Sequence, residues 1–513
     1  MKPRRGSPGD VYAVPLEDGG FTLCQVVRQR PPALLEVAEF DWIGTEVPTL
    51  EQVEALGPVP LRFSDVHGEP VRVDVTDRLP PRHFRFLGSA EPLAAFPEGR
   101  ARVLGDWDHL GRTVGRLARS WDNTHQAAYR QAVKTQRERW EQRVAVTLDG
   151  DPKDVPLGAV GLNVYDQALG DHEAFENGVR MEVRSGVRLD WSQLDRLDGL
   201  YVIRYRGVDR GFGDYLRQRR FVREAVWLDH AQPRIDLGAT AVKTCRVHVP
   251  TGGLDLVLPD TADGLYLDTQ PDPGPASISH SRRCDGLRLT LRGWSIPVMT
   301  GADAVRRVSI LGLDHLDLDL LGQFPNLEEL AVWGKGRTLS RLQTLADLSA
   351  LRIVRFHQFF AFDLDSFPSP EAWPQLDTVE FHGLTKENAD RLRHRLREVY
   401  RLRISGARSQ EWMDRYAGNP FQGWIDRDRR IAERACRAFS TAEHDIAEMG
   451  STPPRDAVEA TLKRFIQVFN RIADTGFIET VEREQIAEAF QRLAQPTFTT
   501  DEADNRFDEW RVF

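Results

Sequence analysis

An apolar pattern that recurs every 18 to 25 residues is the feature that most constrains how this chain of 513 residues folds. The pattern is one apolar residue, two intervening residues, a second apolar residue, one intervening residue and a third apolar residue. It is clearest at Leu327, Leu330 and Val332, and it occurs in eleven segments between residues 178 and 405. Such alternation indicates a strand with one buried face, and a single strand cannot bury that face alone. The sequence therefore predicts many short strands that stack side by side.

This spacing is typical of one repeat architecture, the leucine-rich repeat, in which each unit contributes one strand to a stacked array. We therefore predict an irregular leucine-rich-repeat solenoid over residues 178–408. The segments depart from that motif three residues after the last apolar strand position, where Asn or Cys is usual and this chain has Gly186, Val208 and Lys335. The alternative interpretation is a general α/β domain with several short strands.

The strand pattern also defines an outward face, because alternate side chains of a strand point to opposite sides. Ten of the thirty-three outward positions are arginine, whereas 61 arginines in 513 residues would place about four there by chance. The chain as a whole carries a formal net charge of −9, so this face would be a basic surface on an acidic protein. Such a separation of charge favours docking of an acidic protein surface. The alternative is that the arginines solvate the sheet and pair with acidic residues of neighbouring strands.

The candidate partner-binding residues on this concave face are Arg180, Arg184, Arg204, Arg206, Arg246, His248, Arg288, Arg307, Arg355, His357, His382, Arg401 and Arg403. Two of them, His357 and His382, occupy equivalent places in adjacent segments and should be neighbours. Two histidines could begin a metal site, but the sequence indicates no third ligand. We therefore predict no metal site.

Residues 9–90 alternate apolar and polar positions between turn signals. Asp18, Gly19 and Gly20 separate two apolar stretches, which is typical of a β-hairpin. We predict a small β-barrel-like domain over residues 1–105. The stretch GDVYAVPLEDGGFTLCQVVR also resembles the opening of the immunity-26 family of bacterial polymorphic toxin systems. The residues that carry this resemblance are Gly9, Asp10, Val11, Ala13, Pro15, Leu16, Asp18, Gly19, Val26 and Val27. The resemblance implies binding and neutralisation of a toxin, without catalysis.

Two helical regions flank the predicted repeat. Residues 106–150 include a charged stretch nearly free of Gly and Pro, which predicts an amphipathic helical connector, and residues 151–177 would form a linker and the start of the solenoid. Residues 409–513 predict an α-helical cap. Within them, one helical stripe consists of Val458, Leu462, Phe465, Ile466, Phe469 and Ile472. Thr480 is the predicted N-cap of the following helix.

The C-terminal region carries a second resemblance. The sequence NPFQGW and the later stretch FNRIADTGFIETVEREQIAEAF are similar to the C-terminal domain of bacterial leucine-rich-repeat proteins often labelled gliding-motility proteins. Residues 178–495 share that resemblance, which implies a domain architecture and no particular chemistry. The matching residues are Asn419, Pro420, Phe421, Trp424, Phe469, Asn470, Arg471, Phe477, Ile478, Glu479, Thr480, Glu482, Arg483 and Glu484.

Composition and motifs argue against several classes of function. The acidic balance is unlike that of a general nucleic-acid binder, and the apolar runs are too short to span a bilayer. The N-terminal residues lack the apolar stretch of a secretory signal, and the four cysteines fit no zinc spacing, which favours reduced thiols in the cytoplasm. The sequence contains no GxSxG, P-loop or HExxH motif, so we predict neither catalysis nor a cofactor.

These observations combine into one prediction for fold and function. The fold class is α+β multidomain, with a small N-terminal β-barrel-like domain, a helical linker, an irregular leucine-rich-repeat solenoid and a C-terminal helical cap. The function is that of a non-catalytic cytoplasmic protein that captures a partner with an acidic surface, for which a toxin is the candidate implied by resemblance. A multi-partner scaffold in bacterial signalling or motility, and an enzyme in the N-terminal half, are the alternatives.

Overall fold

The structure is a computed structural model of the 513-residue chain. It describes residues 5–16, 20–30, 34–40, 42–56, 72–75, 78–91, 102–105, 107, 110, 139, 142–159, 161–167, 179–197, 199–219, 222–270, 272–280, 286–293, 295–312, 316, 318–334, 338–339, 341–359, 361–362, 364–450, 453–495 and 497–513.

The N-terminal strands form an open six-stranded sheet with one helix packed on it. The strands are β1 (Asp10–Pro15), β2 (Phe21–Arg30), β3 (Leu34–Glu39), β4 (Arg72–Val75), β5 (Arg85–Ser89) and β6 (Arg102–Gly105), and the helix is α1 (Leu50–Leu56). The order across the sheet is β5-β1-β2-β3-β4-β6, and only the β4–β6 pair is parallel. The predicted hairpin is confirmed, since β1 and β2 pair antiparallel with Pro15 opposite Phe21.

The predicted β-barrel is wrong. Strands β5 and β6 are the two edges of the sheet, and no pairing joins them in the part of the chain that the structure describes. The sheet buries apolar side chains on both faces instead, with Tyr12 and Trp107 in one cluster and Val11 and Val53 in the other. Alternating apolar residues predict strands, but closure into a barrel also depends on strand tilt and stagger, which a sequence pattern does not contain.

A short antiparallel hairpin follows, made of β7 (Arg143–Val146) and β8 (Lys153–Pro156). Its first strand lies within the segment 106–150 that was predicted to be a helical connector. Most of that predicted connector, residues 111–138, lies outside the described residues.

The centre of the molecule is a twelve-stranded parallel sheet. Its strands are β9 (Gly161–Asp166), β10 (Val179–Val183), β11 (Val202–Arg206), β12 (Glu224–Leu228), β14 (Thr244–Val249), β16 (Gly264–Thr269), β18 (Leu287–Gly293), β20 (Val305–Leu311), β21 (Glu329–Trp333), β23 (Ile353–His357), β25 (Thr378–His382) and β26 (Arg401–Ser405). The order is β10-β9-β11, after which the strands follow the chain to β26.

The segments between these strands are of several kinds. Four of them contain strands of a second parallel sheet: β13 (Arg234–Asp236), β15 (Leu254–Leu258), β17 (Ala276–His280) and β19 (Met299–Thr300). Two others contain the short strands β22 (Thr338–Leu339) and β24 (Ala361–Phe362). The connecting segments also contain the helices α2 (Phe212–Gln218) and α3 (Lys386–Arg395) and the 3-10 turns 191–196, 302–304, 318–323, 342–347, 364–366 and 370–372. Their apolar residues, such as Leu256, Leu345 and Leu392, share one core with the strand residues Leu267 and Val354.

The predicted fold class is wrong here as well, because the structure is α/β with a single large parallel sheet and shows no leucine-rich-repeat solenoid. All eleven predicted segments contain a strand. However, β9 was not predicted, and it separates β10 from β11, so neighbours in the sheet are not neighbours in the chain at that end. The apolar pattern specifies strands and their buried face. It does not specify the connections, which differ in length and in kind from one strand to the next.

The register of three strands also differs from the predicted one. In the sheet, Cys245 and Val247 of β14 lie beside Ala225 and Trp227 of β12, whereas the pattern had aligned Val247 with Ala225. Similar shifts by two residues affect β10 and β18. Because side chains alternate with a period of two, a shift of two residues leaves each side chain on its predicted face.

The C-terminal region is a helical block with a core of its own. Its helices are α4 (Gln410–Tyr416), α5 (Arg429–Glu448), α6 (Arg455–Ala473), α7 (Thr480–Ala494) and α8 (Thr500–Trp510), with a 3-10 turn at 422–426. All six residues of the predicted apolar stripe lie buried on α6. The predicted N-cap of α7 is wrong by one residue, since Glu479 caps this helix in a reciprocal capping box with Glu482. In the described part of the chain no helix is both long and apolar enough to cross a membrane.

Several residues that carry the resemblance to bacterial leucine-rich-repeat proteins form contacts within this helical block. Buried Asn419 donates from Nδ2 to the carbonyl oxygen of Cys436 at 2.9 Å and accepts from the amide of Phe421 at 3.1 Å. Trp424 donates from Nε1 to Gln485 at 2.6 Å, which ties the 3-10 turn to α7. These contacts assign the matching residues a structural role.

Asn419→Ala should destabilise the helical block by about 1–3 kcal/mol, because it removes the acceptor of the buried Phe421 amide and the hydrogen bond from Asn419 to α5. Urea unfolding followed by the helical circular dichroism signal measures this. The control is Gln467→Ala, at an exposed position of α6, for which we expect a change of no more than about 0.5 kcal/mol. Equal effects of the two substitutions would contradict the role given to Asn419.

Candidate functional site: the open face of the parallel sheet

One face of the twelve-stranded sheet packs on the core, and the other, which we call the open face, carries the alternate side chains. In β14, for example, Cys245, Val247 and Val249 are buried, whereas Arg246 and His248 between them are partly exposed. Strand pairing aligns these alternate residues into three rows across the sheet. We number the rows in the direction of the strands, so that Arg355 lies in the second row and His357 in the third.

The structure brings nearly all the predicted partner-binding residues onto this face. The first row contains Arg288, Arg307 and Arg401; the second contains Arg180, Arg204, Arg246, Arg355 and Arg403; the third contains Arg206, His248, His357 and His382. Arg184 is the exception, since it follows β10 and contacts Asp149 and Asp151 through ion pairs of 3.7 and 3.3 Å. The sequence prediction missed Arg292 in the third row because β18 was placed two residues out of register.

Most of these arginines form ion pairs with acidic residues, in most cases on the neighbouring strand. The pairs are Arg204–Glu224 at 3.2 Å, Arg206–Asp229 at 2.9 Å, Arg246–Asp268 at 2.7 Å, Arg307–Glu329 at 3.3 Å, Arg355–Glu380 at 3.5 Å and Arg403–Glu380 at 4.0 Å. The ladder pairing that the sequence left as an alternative is therefore present. Each pair holds a guanidinium at a defined place on the sheet.

The ladder does not balance the charge of the face. The three rows contain ten arginines, which are the nine just placed and Arg292, against five acidic residues, so the difference of ten minus five leaves a surplus of five positive charges within the rows. The acidic residues are Glu182, Glu224, Asp268, Glu329 and Glu380. Glu380 is shared, because it lies between Arg355 and Arg403 on adjacent strands. A basic surface therefore remains on a chain with a formal net charge of −9.

The N-terminal sheet contacts one rim of this face. The guanidinium of Arg352, just before β23, lies 2.7 Å from Nδ1 of His83, and the hydroxyl of Tyr400, just before β26, donates to the carbonyl of Pro80 at 3.2 Å. Arg82 lies over the ring of Tyr400 at 4.5 Å. The first-row residues at this rim, Ile353, Thr378 and Arg401, are buried. The accessible part of the face at this end is therefore the second and third rows.

The third row ends in a run of aromatic rings, which we call the aromatic row: Trp333, His357 and His382. The Trp333 and His357 rings are stacked, with centroids 5.3 Å apart and an angle of 7° between planes. His382 follows at 6.3 Å, and its Nδ1 lies 3.1 Å from the hydroxyl of Ser405. Gly406 leaves room for this ring, since a Cβ there would lie 2.6 Å from His382 Cε1. Trp333 is 37% exposed, which is unusual for so large an apolar side chain.

The environment of His357 favours its neutral form. Burial lowers the pKa of His357, and the positive charge of Arg355 and the neighbouring His382 act in the same direction, while the carboxylate of Glu380 opposes them. A new negative charge placed over the ring would reverse this balance. His357 is thus a group whose protonation depends on what lies on the face.

A second histidine pair consists of His248 in the third row, on β14, and His230 in the turn after β12. The ring of His230 is fully buried against His248, with centroids 4.2 Å apart. Nδ1 of His230 accepts from the amide of Gln232 at 2.9 Å, and Nδ1 of His248 accepts from the amide of Asp229 at 2.9 Å. Asp229 and Ala231 both have left-handed backbone angles, with φ of 55° and 51°. An imidazole that accepts at Nδ1 has no proton on that nitrogen, so these bonds hold both rings in the neutral form.

Burial, together with the adjacent His248, lowers the pKa of His230 to about 4. Since an unfolded histidine titrates near 6.5, the unfolded state binds more protons between the two values. The contribution of His230 to stability is therefore complete above about pH 6.5 and is lost as the pH falls toward 4.

We expect His230→Asn to reduce this acid sensitivity. Asparagine can accept the Gln232 amide through its side-chain oxygen but does not titrate, so the loss of unfolding free energy between pH 7 and 4, up to about 3 kcal/mol from this group, should shrink. Urea unfolding at several pH values measures the slope. His444→Gln, at an exposed position of α5, is the control and should keep the wild-type slope. An unchanged slope in His230→Asn would show that other groups cause the acid sensitivity.

Other candidate groups in the described residues have structural explanations. Asp10, from the first resemblance, accepts hydrogen bonds from the Ser7 amide at 3.0 Å and the Ser89 hydroxyl at 2.7 Å, and it is buried. Cys24, Cys245 and Cys436 are free and buried, and burial raises the pKa of Cys245 to about 12. No group of three or more His, Cys, Asp or Glu side chains among the described residues could hold a metal ion.

Comparison with known proteins adds no assignment to this geometry. No protein-family model, no curated protein and no solved structure matches the chain.

Proposed function

We propose that this protein binds another protein, and that the open face of the parallel sheet holds an acidic surface of that partner. The observation that carries the proposal is the surplus of arginine over acidic residues in the three rows, on a chain whose net charge is negative. A basic face on an acidic protein steers an acidic partner to one side of the molecule and orients it on arrival.

The ion pairs on the face support binding as well as stability. Arg355 and Glu380 are both largely buried, with exposed side-chain fractions of 14% and 18%, so these charges are held in place before a partner arrives. A preorganised guanidinium loses less side-chain entropy on binding than a free one. It can bind a partner carboxylate in addition to its own, because the guanidinium has five donors.

Because the N-terminal stretch resembles the immunity-26 family, the partner that we propose is a toxin. The proposed outcome of binding is that the toxin is neutralised. The chemistry of the open face is compatible with any acidic protein surface. We also place the protein in the cytoplasm, since the three buried thiols named above are free and a reducing compartment would keep them so.

Changing Arg204, Arg355 and Arg403 to Gln should abolish capture of a specific partner. We would use the wild-type and variant proteins as baits in lysate of the native host at low salt and identify bound proteins by mass spectrometry. Glutamine is preferred to glutamate because it does not place a second negative charge beside Glu224 or Glu380. We expect one dominant acidic partner on the wild-type bait, with an affinity that falls as salt rises, and its loss from the variant.

The control bait has three exposed arginines away from the open face, Arg393, Arg397 and Arg464, changed to Gln. It has the same net charge as the variant and should retain the partner. If both altered baits lose the partner equally, net charge rather than the open face determines binding. If both retain it, the open face is a solvated surface and the proposal fails. A partner that stops growth when expressed alone, and not when expressed with this protein, would identify it as a toxin.

A further inference from the structure

The aromatic row differs from the rest of the open face in having no carboxylate of its own. Trp333, His357 and His382 lie on three adjacent strands, and the third-row residue on the next strand is Ser405. Among the described residues, the negative charge that acts on His357 is that of Glu380 in the second row, which lies between Arg355 and Arg403. The row therefore presents aromatic rings beside two arginines, Arg355 and Arg403, which share the carboxylate of Glu380.

We propose that the aromatic row receives a carboxylate-rich segment of the partner and that binding there is coupled to uptake of a proton by His357. This inference rests on the proposed function and specifies where on the open face the acidic segment lies. Charge complementarity selects the occupant, because the arginines on this part of the face outnumber the acidic residues by two to one and the imidazoles can only add positive charge.

Stacking on Trp333 stabilises the protonated form of His357 when a carboxylate of the partner lies over the aromatic row. The two rings are almost parallel, so an imidazolium would lie over the indole face, where a cation is attracted by the ring electrons. In the free protein, burial and the charge of Arg355 favour the neutral imidazole. A partner carboxylate over the row compensates both effects and raises the affinity of the ring for a proton.

The charged and titratable groups near His357 predict how binding should depend on pH. Among the described residues, its own strand contributes Arg355, the neighbouring β25 contributes Glu380 and His382, and β21 contributes the uncharged indole of Trp333. Glu380 is held by two arginines and is common to the free and bound states. The change in proton affinity on binding therefore comes from the partner's carboxylate, and binding must tighten as the pH falls through the range in which His357 titrates.

The test uses the full-length protein and fluorescein-labelled poly-L-glutamate as the probe, with affinity measured by fluorescence anisotropy at about pH 8 and about pH 6, where glutamate stays ionised. If binding raises the pKa of His357, the wild-type affinity should be higher at the lower pH, by roughly two- to tenfold. His357→Gln should lose most of that gain. The readout is the ratio of the two dissociation constants for each protein, and thermal unfolding at both pH values checks that the variant is folded.

His444→Gln is the matched control and should show the wild-type ratio. An undiminished gain in His357→Gln overturns the inference. Binding that shows no gain at the lower pH in the wild type, and that is lost when Arg355 and Arg403 are changed to Gln, also overturns the inference but leaves the proposed function in place. Absence of binding at either pH overturns both. Single-stranded DNA that binds more tightly than poly-L-glutamate at the lower pH would reassign the row to nucleic acid.

Discussion

Lateral hydrogen bonding between parallel strands is the constraint on which the rest of this structure depends. Each strand is only a few residues long and cannot bury its apolar side alone, so its neighbours determine both its register and its buried face. A slip by one residue would turn Arg355 toward the core and Phe356 toward solvent. The same register that packs Phe356 against Phe381 therefore aligns the charged side chains on the opposite face into rows.

The arginine ladder is a consequence of those rows. Because Arg355, Glu380 and Arg403 occupy one row on three adjacent strands, each charge has an opposite charge about one strand spacing away. Partly buried pairs of this kind are screened less by salt than fully exposed ones, and removing one member leaves the other in a poorly solvated place. The face can thus tolerate a surplus of arginine without unfolding, provided that the few carboxylates are kept. The loss of Glu380, which serves two arginines, should matter more than the loss of either arginine.

The sequence predicted the parts of the structure that depend on local periodicity. The alternation of apolar residues located the strands from Leu327 to Ile404 and their buried face, and the 3.6-residue stripe located α6. It did not predict β9, the open N-terminal sheet or the mixed connections, because these depend on which segments meet in space. The sequence analysis did not single out Trp333, although it occupies one of the thirty-three outward positions. Its stacking on His357 shows that it belongs to the aromatic row.

His230 and His357 have different surroundings, so protonation of the first affects the stability of the fold and protonation of the second is proposed to affect binding. His230 is fully enclosed and accepts a backbone hydrogen bond, so its neutral form is required by the turn between Asp229 and Gln232, and its pKa of about 4 places its protonation well below neutral pH. His357 is only partly buried. At about pH 6 His230 is therefore still neutral, while the aromatic row can take up a proton when a carboxylate lies over it. The face can respond to an acidic partner under conditions that leave the sheet intact.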